Sequence, residues 1–352
     1  GERFAFFCTA VLEMLPRINF FPKVLHANDW QSALSLIYLC RKYMGRPQYA
    51  AIRRVFTIHN IEYQGKYDFY ILGDVFGLGA ADRECVEYDG CINLMKGAIE
   101  SAEIVSTVSP RYAEEIMTPQ YSHGLWRILQ RNSSKVCGIL NGIDYAYYDP
   151  ETDPILPKNY SAKAPAQKAA CRAKLRQDIG LPDADVPLIA VISRLVSHKG
   201  LDLVMLAGED MLRDDVQLVV LGMGDKSYEN YFESLAERFP EKCKTLITYN
   251  RDLSKRIYSA ADIFLMPSKS EPCGLAQMIC SRYGAIPVIH ETGGLYDSIK
   301  DIGCVGGGNG FTFAAYSAYE MLGSVTRATD MFKNDREGFE KLRKNTIESV
   351  IN

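Results

Sequence analysis

The sequence predicts an α/β protein whose parallel sheets are covered by helices on both faces. Short runs rich in apolar and β-branched residues alternate with helical patterns along the 352 residues. The runs are continuously apolar, which is typical of strands buried on both faces. Nearly every run ends in polar residues, at the end where parallel sheets bind ligands. Because each half of the chain has such a set, we expect two sheets that face each other across a cleft.

The predicted strands follow one another in both halves of the chain. Those of the first half are KVLHAND (23–29), RRVFTIHN (53–60), EIVSTVSP (103–110) and KVCGILNGI (135–143). Those of the second half are PLIAVISR (187–194), VQLVVLGMGD (216–225), TLITYNR (245–251), DIFLMPSKSEP (262–272) and AIPVIHETGG (285–294). Helical patterns such as QSALSLIYLCRKY and SYENYFESLAERF fill the gaps.

A proline-rich, polar segment without periodicity, residues 149–167, separates the halves and is predicted to be a linker. The predicted domains are therefore residues 1–148 and 168–352. The chain opens directly in one amphipathic pattern and stops in another. We therefore expect the first domain to be incomplete at its start and the second at its end.

Composition excludes several classes of function. The net charge is −3 and no block of lysine or arginine stands out, which argues against a nucleic-acid partner. The longest apolar stretches, such as FAFFCTAVLEML (4–15), are broken by polar residues and too short to predict a membrane span. The ten cysteines include no C-x-x-C pair, so we expect reduced thiols in a reducing compartment and no structural zinc.

Two cations lie at a predicted strand-to-helix turn. Arg194 ends a strand, and Lys199 follows in SRLVSHKGLDL just before a helical pattern. This arrangement suits a diphosphate, because the guanidinium fork chelates oxygens and the ammonium adds a point charge. The alternative is a pair of solvated surface cations.

A carboxylate, Glu271, stands where a helix is predicted to begin, in SKSEPCGLAQ (268–277). Free N–H groups at such a place favour a phosphate, which a bare carboxylate would repel. The pattern makes sense if the N–H groups of Cys273, Gly274 and Leu275 hold a phosphate while the carboxylate holds a sugar. The alternative is a helix cap with a favourable charge.

Four further residues are candidates with structural alternatives. Asp29 and His59 lie at strand tips, although a lone histidine is more often structural. Asn141, in LNGID, fits either a turn or a hydroxyl-binding residue. Tyr249 fits either packing or a platform for a nucleobase.

Seven motifs together resemble the bacterial glycogen synthase and plant starch synthase family of glycosyltransferases. They occur in the family's order and span nearly the whole chain. They are HANDWQSAL (26–34), VFTIHNIEYQGKY (55–67), STVSPRYAEEI (106–116), LNGIDYAYYDPETD (140–153), SRLVSHKGLDL (193–203), SEPCGLAQM (270–278) and ETGGLYDSI (291–299).

The resemblance implies a GT-B fold, in which two Rossmann-like domains enclose a cleft. It implies transfer of glucose from ADP-glucose or UDP-glucose to the non-reducing 4-hydroxyl of an α-1,4-glucan, with retention and without a metal or cofactor. The catalytic residues implied are Glu271, His59 and Asp29. The donor-binding residues implied are Arg194, Lys199, Asn141, Tyr249, Cys273, Gly274 and Leu275. The compartment would be the bacterial cytoplasm, or a plastid in a plant or alga.

Some features depart from the family. No K-x-G-G-L-G-D loop is present, the C-terminal helix of the family is incomplete, and Ala276 replaces a frequent small hydroxyl residue. These departures leave open an inactive fragment or a non-catalytic glucan-binding scaffold. Another retaining GT-B transferase is the remaining alternative, but many of those have a glutamate where this chain has Ile279.

Overall fold

The computed structural model describes residues 1–350, which divide into two compact units. The first unit comprises Gly1–Leu140, and the second begins at Asn141. Each unit contains a parallel sheet with helices packed on it, which confirms the predicted α/β class. Among the helices within residues 1–350, none combines the length and the apolar character that crossing a bilayer requires.

The first unit has a four-stranded parallel sheet with the order β1-β2-β6-β7 and a three-stranded antiparallel sheet with the order β3-β5-β4. Its strands are β1 (Val24–Asn28), β2 (Arg53–Ile58), β3 (Lys66–Tyr67), β4 (Glu87–Tyr88), β5 (Cys91–Asn93), β6 (Ile104–Thr107) and β7 (Val136–Gly138). Its helices are α1 (Glu2–Arg17), α2 (Asp29–Tyr38), α3 (Pro47–Ala50), α4 (Ile71–Asp74), α5 (Arg83–Val86), α6 (Leu94–Ser101), α7 (Pro110–Glu115) and α8 (Trp126–Arg131).

The second unit has a six-stranded parallel sheet with the order β10-β9-β8-β11-β12-β13. Its strands are β8 (Leu188–Ile192), β9 (Gln217–Gly222), β10 (Cys243–Ile247), β11 (Ile263–Met266), β12 (Ile286–His290) and β13 (Phe311–Phe313). Its helices are α9 (Lys168–Ile179), α10 (Leu201–Arg213), α11 (Lys226–Arg238), α12 (Arg251–Ala260), α13 (Ala276–Arg282), α14 (Gly293–Ser298), α15 (Ala318–Asn334) and α16 (Arg336–Glu348).

Each predicted run overlaps a strand, although β10 begins at Cys243, two residues before its predicted run; the sequence did not predict β13 or the antiparallel sheet. The prediction that strands are buried on both faces is clearest in the second unit. Ile189 and Val191 of β8 join one hydrophobic cluster, with α10 and α15, whereas Leu188 and Ala190 join another, with α9 and α12. Successive side chains of a strand point to opposite faces, so both faces of this sheet carry a core.

The segment predicted to be a linker, residues 149–167, packs on the second unit. Tyr160 is buried and donates a hydrogen bond to the carbonyl of Tyr283 at 2.7 Å. The carboxylate of Asp153 is buried as well, and accepts hydrogen bonds from the Tyr283 hydroxyl at 2.5 Å and from the Ile155 amide at 3.1 Å. Lys255 forms an ion pair with the same carboxylate at 3.1 Å.

Lys168, the first residue of α9, is a buried lysine that joins the ends of two helices. Its Nζ donates to the carbonyls of Tyr258 and Ser259, near the end of α12, and of Tyr283, just after α13, each at 2.8 Å. The last carbonyls of a helix lack partners within the helix and carry negative partial charge. Burial lowers the pKa of the Lys168 ammonium well below its usual value, because little water remains to solvate the charge.

We expect Lys168→Met to destabilise the second unit by about 2–3 kcal/mol, because it leaves three carbonyls without this donor. Urea denaturation followed by circular dichroism measures the change in the free energy of unfolding. Lys163→Met is the matched control, since Lys163 is exposed. Equal stability of the two variants would contradict the role given to Lys168.

Candidate active site

The carboxyl ends of β8 and β11 lie side by side in the middle of the six-stranded sheet. From β8 the chain proceeds to β9 and β10 on one side, and it then returns to build β11, β12 and β13 on the other. Open α/β sheets bind ligands at such a change of direction. Arg194 and Lys199 follow β8, and Glu271 follows β11. The topology thus brings together three residues that the sequence predicted from separate motifs.

The loops after β8 and β11 approach each other at a glycine. Gly200 has a φ of +71°, and a Cβ at this position would lie 1.9 Å from the carbonyl oxygen of Pro267. Only glycine combines this backbone conformation with such a close approach. The amide of Lys269 also donates to the carbonyl of His198 at 3.0 Å. The backbone itself therefore sets the distance between Lys199 and Glu271.

A second glycine contact fixes the other side of the Glu271 loop. Gly293 has a φ of +44°, and a Cβ there would lie 2.0 Å from the carbonyl oxygen of Glu271. The amide of Gly294 donates to that same oxygen at 3.1 Å. The two glycines of the motif ETGGL thus pack against the backbone of the Glu271 loop and fix its position.

Glu271 is 7% exposed, and its carboxylate has two donors on one oxygen. Lys199 Nζ donates to Oε2 at 2.7 Å, and the hydroxyl of Ser268 donates to the same atom at 3.0 Å. Among residues 1–350, no hydrogen bond to Oε1 is found. The carboxylate is therefore held by one oxygen, while the other remains available to a ligand.

Two neighbouring cavities meet at Arg194. A cavity of about 220 Å³ is lined by Arg194, Lys199, Glu271 and Leu275, and one of about 450 Å³ is lined by Arg194 and Tyr249. Tyr249 is 74% exposed, and Arg251 Nε donates to its hydroxyl at 3.1 Å. The residues predicted to bind the phosphates and the residue predicted to bind the base therefore line adjoining cavities.

Backbone N–H groups lie in the turn that leads into α13 and ends at Leu275, which lines the smaller cavity. Within residues 1–350 the amides of Cys273, Gly274 and Leu275 have no acceptor, so they remain available to an anion. Gln277 fixes this turn, since its Nε2 donates to the carbonyls of Cys273 and Gly274, each at 3.0 Å. Gly274 adopts a φ of +69°, which turns the chain into α13.

The thiol of Cys273 is not suited to act as a nucleophile. Burial raises its pKa, and hydrogen bonds from the backbone and side chain of Asn141 only partly oppose that effect. Asn141 therefore lies beside Cys273, another residue predicted to bind the donor. Arg194 is exposed.

In the first unit, Asp29 and His59 lie together at the carboxyl ends of β1 and β2. The Asp29 carboxylate accepts the amide of His59 at 2.8 Å, and His59 Nε2 is 2.9 Å from Oδ1 of Asn28. Asp29 has a φ of +56°, which is uncommon for a residue other than glycine and is a form of strain found at functional sites. The structure thus joins these two predicted residues in a single hydrogen-bonded group.

Sequence reasoning missed two residues that support Glu271. Ser268 was visible within SKSEPCGLAQ, but only the folded loop turns its hydroxyl toward the carboxylate. His290, at the end of β12, donates from Nδ1 to the carbonyl of Ser268 at 2.8 Å. No spacing in the sequence links these positions. Within residues 1–350, no group of three or more His, Cys, Asp or Glu side chains is arranged to hold a metal ion.

Comparison with known families gives two matches that together span most of the chain. Residues 1–131 match the family described as starch synthase catalytic domain. Residues 172–348 match the family described as glycosyl transferases group 1.

Curated relatives are similar over almost the whole chain. The glycogen synthase of Desulforudis audaxviator is 42% identical over 351 residues, which are 99% of this chain and 70% of the relative. The glycogen synthase of Streptococcus agalactiae is 42% identical over 347 residues, which are 97% of this chain and 73% of the relative.

Solved structures are also similar to this chain over nearly its whole length. The catalytic domain of starch synthase IV from Arabidopsis thaliana, bound to ADP and acarbose, superposes with a TM-score of 0.90 at 36% identity. The match covers 98% of this chain and 73% of that structure. Sucrose-phosphate synthase from Thermosynechococcus elongatus has a TM-score of 0.61 at 15% identity over the same shares, a similarity of fold alone.

We expect Gly200→Ala to destabilise the second unit by at least about 2 kcal/mol, because the new methyl would overlap the Pro267 carbonyl. Thermal or urea unfolding measures this loss. Gly323→Ala is the control: it lies inside α15 with no atom within 4 Å of the added methyl, so it should stabilise by about 0.5–1 kcal/mol. If both variants behaved alike, the close approach at Gly200 would not constrain the fold.

Proposed function

Because the chain belongs to the glycogen and starch synthase family of glycosyltransferases, we propose that it transfers glucose from ADP-glucose to the non-reducing end of an α-1,4-glucan with retention. The observation that carries the residue assignment is the convergence of Arg194, Lys199 and Glu271 at one sheet crossover. The names of the relatives support glycogen or starch synthesis. The ADP and acarbose in the starch synthase IV structure support a nucleotide donor and a glucan acceptor.

The diphosphate of the donor occupies the smaller cavity in this proposal. Arg194 and Lys199 supply positive charge, and the free amides of the turn at 273–275 supply hydrogen bonds. Both kinds of group stabilise negative charge as it develops on the leaving diphosphate. They take the role that a divalent metal has in other transferases, so the proposal needs no metal.

Glu271 acts on the glucose. As the bond between C1 of glucose and the phosphate oxygen breaks, the electron pair leaves with the diphosphate and positive charge grows on the sugar ring. The buried carboxylate, through its free oxygen, stabilises that charge and holds a sugar hydroxyl. The acceptor 4-hydroxyl forms the new bond to C1, and its proton passes to the departing phosphate.

The larger cavity receives the nucleobase. Tyr249 offers an exposed aromatic face, and Ile279 lines the same space with an apolar side chain. We favour adenine over uracil because the similar starch synthase IV structure contains ADP. In the first unit, the hydrogen-bonded group of Asp29 and His59 is suited to bind sugar hydroxyls. The ten free cysteines and the bacterial relatives favour a reducing cytoplasmic location.

We expect the double variant Arg194→Ala/Lys199→Ala to bind ADP at least about 100-fold more weakly than the unaltered chain, because it loses two charge-assisted contacts. Isothermal calorimetry with ADP, and with UDP in parallel, measures this. The control is Lys174→Ala/Arg213→Ala, which removes two exposed cations paired elsewhere. Unchanged ADP affinity in the first variant would refute the diphosphate site, and tighter binding of UDP would reverse the assignment of the base.

We expect Glu271→Gln to lower the rate of glucosyl transfer at least about 100-fold. Its ADP affinity should not fall by more than about threefold, because this residue faces the sugar and its charge competes with the diphosphate for Lys199. Incorporation of labelled glucose into glycogen measures the rate. Glu237→Gln, an exposed residue, serves as the control. A variant that kept most of the transfer activity would remove Glu271 from the mechanism.

A further inference from the structure

We infer that Ser268 is a positioning residue for Glu271, and that it is the donor that keeps the carboxylate oriented once the donor substrate is bound. The inference rests on the proposed function, because it concerns how the same carboxylate meets the glucose. It starts from the two hydrogen bonds to Oε2, one from Lys199 at 2.7 Å and one from Ser268 at 3.0 Å.

The two donors differ in what else they can bind. Lys199 is a flexible cation that lines the cavity with Arg194, so a diphosphate in that cavity competes with Glu271 for its ammonium. The hydroxyl of Ser268 is neutral and the residue is completely buried. A diphosphate in the cavity therefore does not compete with Glu271 for this hydroxyl. When the ammonium turns to the phosphate, the serine hydroxyl remains on Oε2.

The position of Ser268 is itself fixed. Its carbonyl accepts a hydrogen bond from Nδ1 of His290 at 2.8 Å, and His290 is 5% exposed between the rings of Phe313 and Tyr316. Because the acceptor is a carbonyl, Nδ1 must carry the hydrogen. Burial lowers the pKa of His290, which favours its neutral form. The serine thus sits on a rigid support at the end of β12.

This arrangement has a geometric consequence for catalysis. With Oε2 held from the protein side, Oε1 is directed to the open part of the site, and the carboxylate cannot rotate freely about its last bond. Groups that are oriented before the reaction avoid the entropic cost of ordering in the transition state. A carboxylate held only by Lys199 would lose that orientation whenever the lysine bound phosphate.

The alternative is that the serine hydroxyl merely satisfies its own need for a partner, as buried hydroxyls do. A structural role of that kind would affect the stability of the loop and all ligands alike. A positioning role affects only the part of binding and rate that involves the glucose. Comparing ADP with ADP-glucose separates the two roles.

The test uses Ser268→Ala in the full chain. We expect its affinity for ADP to stay within about twofold and its affinity for ADP-glucose to fall about tenfold, the loss of one charge-assisted hydrogen bond. In the transfer assay, kcat should fall about tenfold or more, in addition to a rise in the KM for ADP-glucose that follows the weaker binding. Ser268→Thr keeps the hydroxyl and should recover most of both values.

Ser259→Ala is the matched control, because Ser259 is equally buried but its hydroxyl donates only to a carbonyl of its own helix. It should leave ADP and ADP-glucose binding unchanged. Equal weakening of ADP and ADP-glucose by Ser268→Ala, no weakening of either, or a folded Ser268→Thr as impaired as Ser268→Ala would each overturn the inference. If the unaltered chain bound neither ligand, the proposed function itself would fail, which is a distinct result.

Discussion

The close approach of the backbone at Gly200 to that at Pro267 is the constraint on which the site depends. A Cβ at Gly200 would lie 1.9 Å from a carbonyl oxygen, so no other residue permits this distance without displacement. Lys199 and Glu271, which stand 72 positions apart in sequence, meet because these two loops touch. The strand order brings the loops to the same edge, and the glycine decides how closely they pack.

The charges of the site are balanced before any substrate arrives. Lys199 offsets the buried carboxylate of Glu271, and the Ser268 hydroxyl adds a neutral donor. An unpaired carboxylate at this depth would be costly, and it would also repel a phosphate. The ion pair with Lys199 offsets the cost of burying the Glu271 carboxylate and reduces its repulsion of a phosphate. A ligand that binds Lys199 then exchanges one interaction of the ammonium for another. Arg194, which is exposed, keeps its charge available for the ligand.

The sequence predicted the strands and the polar residues at their ends because periodicity and strand termini are local properties. Arg194, Lys199 and Glu271 were predicted in this way, and the structure places them at neighbouring strand ends. The contribution of Ser268 could not be predicted, since the direction of a loop hydroxyl depends on contacts with His290, 22 positions away. Composition could not show how residues 149–167 pack: proline and polar residues indicate a linker, and only the structure shows that Tyr160 of this segment is buried against the second unit.

The lysine that joins the ends of α12 and α13 offers a way to observe the second unit opening. A lysine reacts with acylating reagents only through its unprotonated and accessible nitrogen, and Lys168 has that nitrogen enclosed by three carbonyls. Exposed lysines such as Lys163 would be labelled at once. Slow labelling at Lys168 would therefore report the rate at which these helices separate, as a chemical counterpart of hydrogen exchange.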